Sequence, residues 1–142
     1  MRDTPWYLFP VAALAVIWFL FSALDFVMTM LRIEGYLALF SEPQIAYFTS
    51  MPQWVTAAWA IGVWAGLLGA ILLLYDQKTA PVPLALSFAG MLIASVWFTA
   101  LSDPLMVAVT GPLGLVVIWA ATLVSLLFWI HARVQRQRDN LI

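Results

Sequence analysis

Thr56-Ala-Ala-Trp-Ala-Ile-Gly-Val-Trp-Ala-Gly-Leu-Leu-Gly-Ala-Ile-Leu-Leu-Leu-Tyr75 runs without a single charged residue. At ~1.5 Å per residue, a helix of this length crosses a hydrocarbon core of ~30 Å. Three further stretches, at 7–30, 82–101 and 112–130, are long and apolar enough to do the same. The chain of 142 residues is 65% hydrophobic and 9% charged, so little sequence remains outside these stretches for a soluble unit. The reading is an all-α integral membrane protein: one domain over 1–142, built as a bundle of four transmembrane helices.

Composition narrows the possible functions. The chain has no cysteine, which removes disulfides, thiolate nucleophiles and thiolate metal ligands together. A net charge of -1 supplies no field to attract nucleic acid. The first apolar run follows Arg2 but is too long for a signal-peptide core, and Asp25-Phe26 makes a poor cleavage site, so it reads as a retained helix.

The connections set the expected orientation. The tail Ala132-Arg-Val-Gln-Arg-Gln-Arg138 holds half of the basic residues, and basic segments stay in the cytoplasm. Four spans place the N-terminus on that side too, together with Lys78 in the second connection. Only Arg32 counts against this assignment. The expected arrangement is multi-pass, with both termini cytoplasmic. Trp6, Tyr7, Trp54, Tyr75, Trp97 and Trp129 fall near span ends, where amphipathic rings favour the interface.

The long first connection contains Ser41-Glu-Pro-Gln44 and Ser50-Met-Pro-Gln53, which share the pattern S-x-P-Q. Such a serine can cap the third amide of a helix, the glutamine can reach back, and proline is harmless in the first turn. The pattern predicts a short interfacial helix near 42–49, with Ile45 and Phe48 turned to the membrane, and a fresh capped start into span two. This segment either joins two spans or forms a lid over an outer opening.

Two polar stripes and one small-residue stripe stand out. Ser22, Asp25, Thr29 and Arg32 share one face of the outer half of span one, and Ser95, Thr99 and Ser102 share one face of the outer half of span three, with Asp103 beside them. If the stripes face each other, they form a polar wedge open to the outside, with Asp25 as its deepest ionisable group. An acid inside a span is a functional candidate because its insertion is costly; an anchored helix end is the structural alternative. Ala58, Gly62, Gly66 and Gly69 recur along one face of span two, a pattern that lets helix backbones approach closely. Helix packing is its expected role.

No catalytic or metal site is expected. His131 is the only histidine and lies without nearby acids, so neither metal ligation nor cofactor ligation is anticipated, and no nucleophile or phosphate-loop pattern occurs. The expected partners are the lipid bilayer and other membrane chains or further copies of this one.

The stretches Met51-Pro-Gln-Trp-Val-Thr-Ala-Ala-Trp-Ala-Ile-Gly-Val-Trp-Ala-Gly-Leu-Leu-Gly-Ala-Ile-Leu-Leu-Leu74 and Ala80-Pro-Val-Pro-Leu-Ala-Leu-Ser87, with Trp129-Ile-His-Ala-Arg133, resemble a family of small four-span bacterial membrane proteins often labelled "sugar transporter". This chain is less basic after span two, at Asp76-Gln-Lys78, and carries His131 where family members have a plainer span end. The resemblance implies a class and a location, the bacterial inner membrane, and carries no site residues with it. Two readings follow: an accessory or interaction subunit without its own catalytic site, and an oligomeric small-solute transporter with its wedge around Asp25.

Overall fold

The computed structural model describes residues 5–31 and 34–141. Among them there are only helices, and four are long and apolar enough to cross a membrane: α1 (Leu8–Met30), α4 (Gln53–Leu74), α5 (Pro81–Val96, prolonged by the π-helical segment Trp97–Leu101) and α7 (Pro112–Gln137). The protein is a multi-pass membrane protein whose environment is a lipid bilayer. The short helices α2 (Glu34–Leu37), α3 (Glu42–Thr49) and α6 (Met106–Thr110) fill the two connections at one end.

The spans pack in the order α1, α4, α5, α7. The closest approach is between α4 and α5, where lipid supplies no hydrophobic drive and small residues make contact possible. A methyl group on Gly90 of α5 would collide with the Ala58 carbonyl oxygen and would lie 2.7 Å from the Gly62 nitrogen. The resulting proximity lets the buried Ser87 hydroxyl donate to the Gly62 carbonyl at 2.5 Å. Gly66 receives the Phe19 ring from α1, and Gly69 receives Leu84 from α5. All four positions of the stripe are buried. They hold α1 and α5 of this same chain.

The first and last described residues lie at one end of the bundle. Tyr7 meets His131 with ring centroids 6.1 Å apart, and the Gln135 amide donates to the Tyr7 hydroxyl at 3.4 Å. Past α7 the chain turns back at Asp139, whose φ is 56°, and seats Leu141 in the core with Leu8, Ala12, Ala80 and Ala132. Lys78 and Asp139 approach to 3.9 Å at the surface of this end. Deeper in, Phe19 and Phe128 bring α1 and α7 together, with centroids 6.0 Å apart.

Several local expectations change. Span four continues as helix to Gln137, because Arg and Gln are good helix formers and basic residues suit a helix C-terminus. Ser41 does cap α3: the Gln44 amide donates to its hydroxyl at 3.4 Å, and the Gln44 side chain accepts from the Ser41 amide at 3.2 Å. Ser50 does not cap α4. Its hydroxyl is held by the Tyr47 carbonyl at 3.4 Å, and Pro52 occupies the cap position instead. Ile45 and Phe48 face the bundle and not the membrane, because aromatic contacts with Phe40 and Phe98 draw Phe48 inward. Trp97 is likewise buried, stacked on Tyr47 at 5.9 Å, whereas Trp54 and Tyr75 remain exposed.

Candidate ligand-binding site

Beyond the Phe19–Phe128 contact, α1 and α7 separate. The space between them is a cavity of about 480 Å³ in the half of the bundle away from the chain ends. That volume falls within the ~300–1,000 Å³ typical of small-molecule sites. Its walls are easily traced. Trp18, Ser22 and Asp25 come from α1; Trp59 and Gly62 from α4; Met91 and Ser95 from α5; Gly114, Ala121 and Ser125 from α7. The connections roof it with Tyr36, Phe40, Gln44 and Phe48. Leu113 and Val117 on its α7 rim are 72% and 58% exposed, so the gap between α1 and α7 opens sideways towards lipid.

The roof follows from local sequence. The Ser41 cap and Pro43 in the first turn start α3, and Tyr47 anchors it by a buried hydrogen bond of 2.8 Å to Ser102. Burial pushes the Tyr47 phenol upward from its usual range, with the Ser102 hydrogen bond acting the other way. On the opposite side, Gly111 adopts a φ of 73°, a left-handed conformation that suits glycine, and Pro112 then opens α7 at its first position.

Ser22, Asp25, Thr29 and Ser95 all line this one cavity. Asp25 accepts a hydrogen bond from the Tyr36 hydroxyl. Burial, then the hydrogen bond and the charge of Asp25, push Tyr36 well above the ordinary tyrosine range, so it stays a neutral donor. Arg32 lies outside the described residues. Thr99 is directed elsewhere: it donates to the Ser95 carbonyl at 2.7 Å and accepts from the Trp119 indole at 2.9 Å. The π-helical segment explains this, because an i→i+5 turn takes up an additional residue and rotates later side chains away from α-helical spacing. Asp103 is exposed on a separate hollow with Tyr47 and Ser102, and does not join Asp25.

The hydroxyls below Asp25 have their protons engaged. Ser22 donates to the Trp18 carbonyl at 3.0 Å and Ser125 to that of Ala121 at 3.2 Å. Thr122 donates to Ile118 at 2.9 Å, which leaves Ser95 as donor in its 2.7 Å bond to Thr122. What these groups still offer a ligand is oxygen lone pairs.

Sequence reasoning missed two contributors. Tyr36 sits in a connection with no periodicity to place it, and the α7 wall reads as ordinary lipid-facing span. Thr122 and Ser125, three residues apart in an apolar stretch, were the available signal. Among the described residues no group of three or more His, Asp or Glu side chains could hold a metal ion. Comparison with family models, curated proteins and solved structures gives no match.

Proposed function

We propose that this protein binds a small amphipathic solute in the cavity between α1 and α7 and serves its passage into or across the membrane. The observation that carries the reading is the cavity itself: it is walled by aromatic side chains, lined by Asp25 beneath its roof and blind at Phe19 and Phe128. Apolar pockets with a few convergent polar groups are the usual form of small-molecule sites. The seal at the chain-end side, made by Tyr7, Gln135 and Leu141, supports a state open on one side only. With the basic tail and Lys78 on the cytoplasmic side of a bacterial inner membrane, the cavity faces outward. Four spans leave little room for a pathway with two gates, so passage would involve a second copy or another membrane chain. The resemblance to proteins labelled as transporters points to the same class.

The accessory-subunit reading draws less support from the packing. Ala58, Gly62, Gly66 and Gly69, which could have docked a foreign helix, are covered by Phe19, Leu84, Gly90 and Met91 of this chain.

The test is native mass spectrometry of protein extracted in mild detergent, comparing the parent with Ala121→Phe, which fills the cavity. Small-molecule adducts on the parent that are lost from the folded variant are the expected result. The same adducts on both proteins would contradict the reading.

A further inference from the structure

We infer that the cavity selects an organic cation with an apolar body, its ammonium group at Asp25 and its body between Trp18 and Trp59. The inference rests on the binding role proposed above and names the class of ligand. Among the described lining residues Asp25 is the only charged side chain. A carboxylate offers acceptor sites alone, about four in number, and Tyr36 fills one of them. Below it, the protons of Ser22, Ser95 and Ser125 are engaged, so these three hydroxyls present acceptors to a ligand. At the roof the Gln44 amide oxygen is held by the Ser41 amide, which leaves its NH2 group as a donor. A sugar needs donors and acceptors in several directions. An alkylammonium group needs acceptors and a negative charge, and a quaternary one needs the charge and ring faces alone.

The aromatic groups agree with this. Trp18, Trp59, Tyr36, Phe40 and Phe48 border the cavity, and faces of such rings attract cations, quaternary ammonium groups above all. The polarity is graded along the membrane normal. Asp25 stands about 9 Å above Phe19 at ~1.5 Å per residue, so a charged head near the interface would carry its apolar part inward. The sideways gap at Leu113 and Val117 gives such a molecule an entrance from the leaflet. The same chemistry occurs in a free amphiphilic amine and in the ammonium headgroup of a membrane lipid.

The native chain lacks cysteine, so Ala121→Cys supplies one reporter thiol on the cavity wall. Its reaction with neutral methyl methanethiosulfonate is followed in dodecyl maltoside with three probes: octyltrimethylammonium, octyl glucoside and octanesulfonate. The cation is expected to protect at about tenfold lower concentration than the glucoside, with the sulfonate weakest. Adding Asp25→Asn should remove that preference while leaving the thiol reactive. Equal protection by all three probes on the Asp25 protein overturns the inference whether or not the Asn variant folds. A thiol that does not react at all instead overturns the binding reading beneath it. Nanodiscs of phosphatidylglycerol, with and without phosphatidylethanolamine, separate the sources. Protection by the ethanolamine lipid alone assigns the ammonium to a headgroup, and protection only on adding octyltrimethylammonium assigns it to a free cation. In these nanodiscs, protection by neither overturns the inference.

Discussion

At the scale of single residues, the packing turns on atoms that cannot move. A methyl group on Gly90 meets the Ala58 carbonyl and the Gly62 nitrogen, both backbone atoms, whereas one on Gly62 meets chiefly the flexible Met91 side chain at 2.8 Å. Gly90→Ala is therefore expected to cost about 1–3 kcal/mol, the range for overpacking a filled site, and to exceed Gly62→Ala. Leu68→Ala, on a face 53% exposed, should lie near zero. Thermal unfolding in detergent ranks the three, and equal midpoints would refute the packing scheme. The sequence showed the spacing of Gly62 and Gly66 but not their neighbours, because a small-residue stripe records that something comes close without recording what. Gly90 was missed since it stands alone in its span. For Asp25 the reverse holds: its unusual place in an apolar helix was visible, while Tyr36, eleven residues away across a connection, was not.

At the scale of elements, α3 forms the roof of the cavity. The S-x-P-Q pattern at Ser41 was legible because capping is local, and its hydrogen bonds span three residues. The failure of the same pattern at Ser50 was not legible, since it depends on Tyr47 reaching across to Ser102 and on the end of α3 holding the Ser50 hydroxyl. The orientation of Thr99 was hidden for a similar reason, as a π turn leaves no mark in hydrophobic periodicity. Tyr47→Phe removes one buried hydrogen bond, worth about 1 kcal/mol, while Ser102 keeps its bond to Phe98 at 3.3 Å. The roof should then open more often, and a thiol at position 121 should react about fivefold faster at unchanged fold. Unchanged reactivity would mean that α3 does not control access.

At the scale of the whole molecule, four spans and the common location of the chain ends were legible from length and apolar composition alone, because a bilayer leaves few other solutions. The cavity was not, since its α7 wall looks like any lipid-facing surface. Its outward direction depends on the basic tail, and impermeant thiol labelling of Ser41→Cys in intact cells is expected; labelling only after lysis would invert the orientation. The binding role requires that water and solutes reach the space between α1 and α7. Ala121 and Leu123 stand two residues apart at nearly the same depth, the first on the cavity wall and the second 54% exposed on the outer surface of the bundle. Single cysteines at these positions, treated with a water-soluble methanethiosulfonate in nanodiscs, test the claim directly. Rapid modification of Ala121→Cys and little of Leu123→Cys is the expected result; equal rates, or a faster Leu123→Cys, would mean that no such space is open to water.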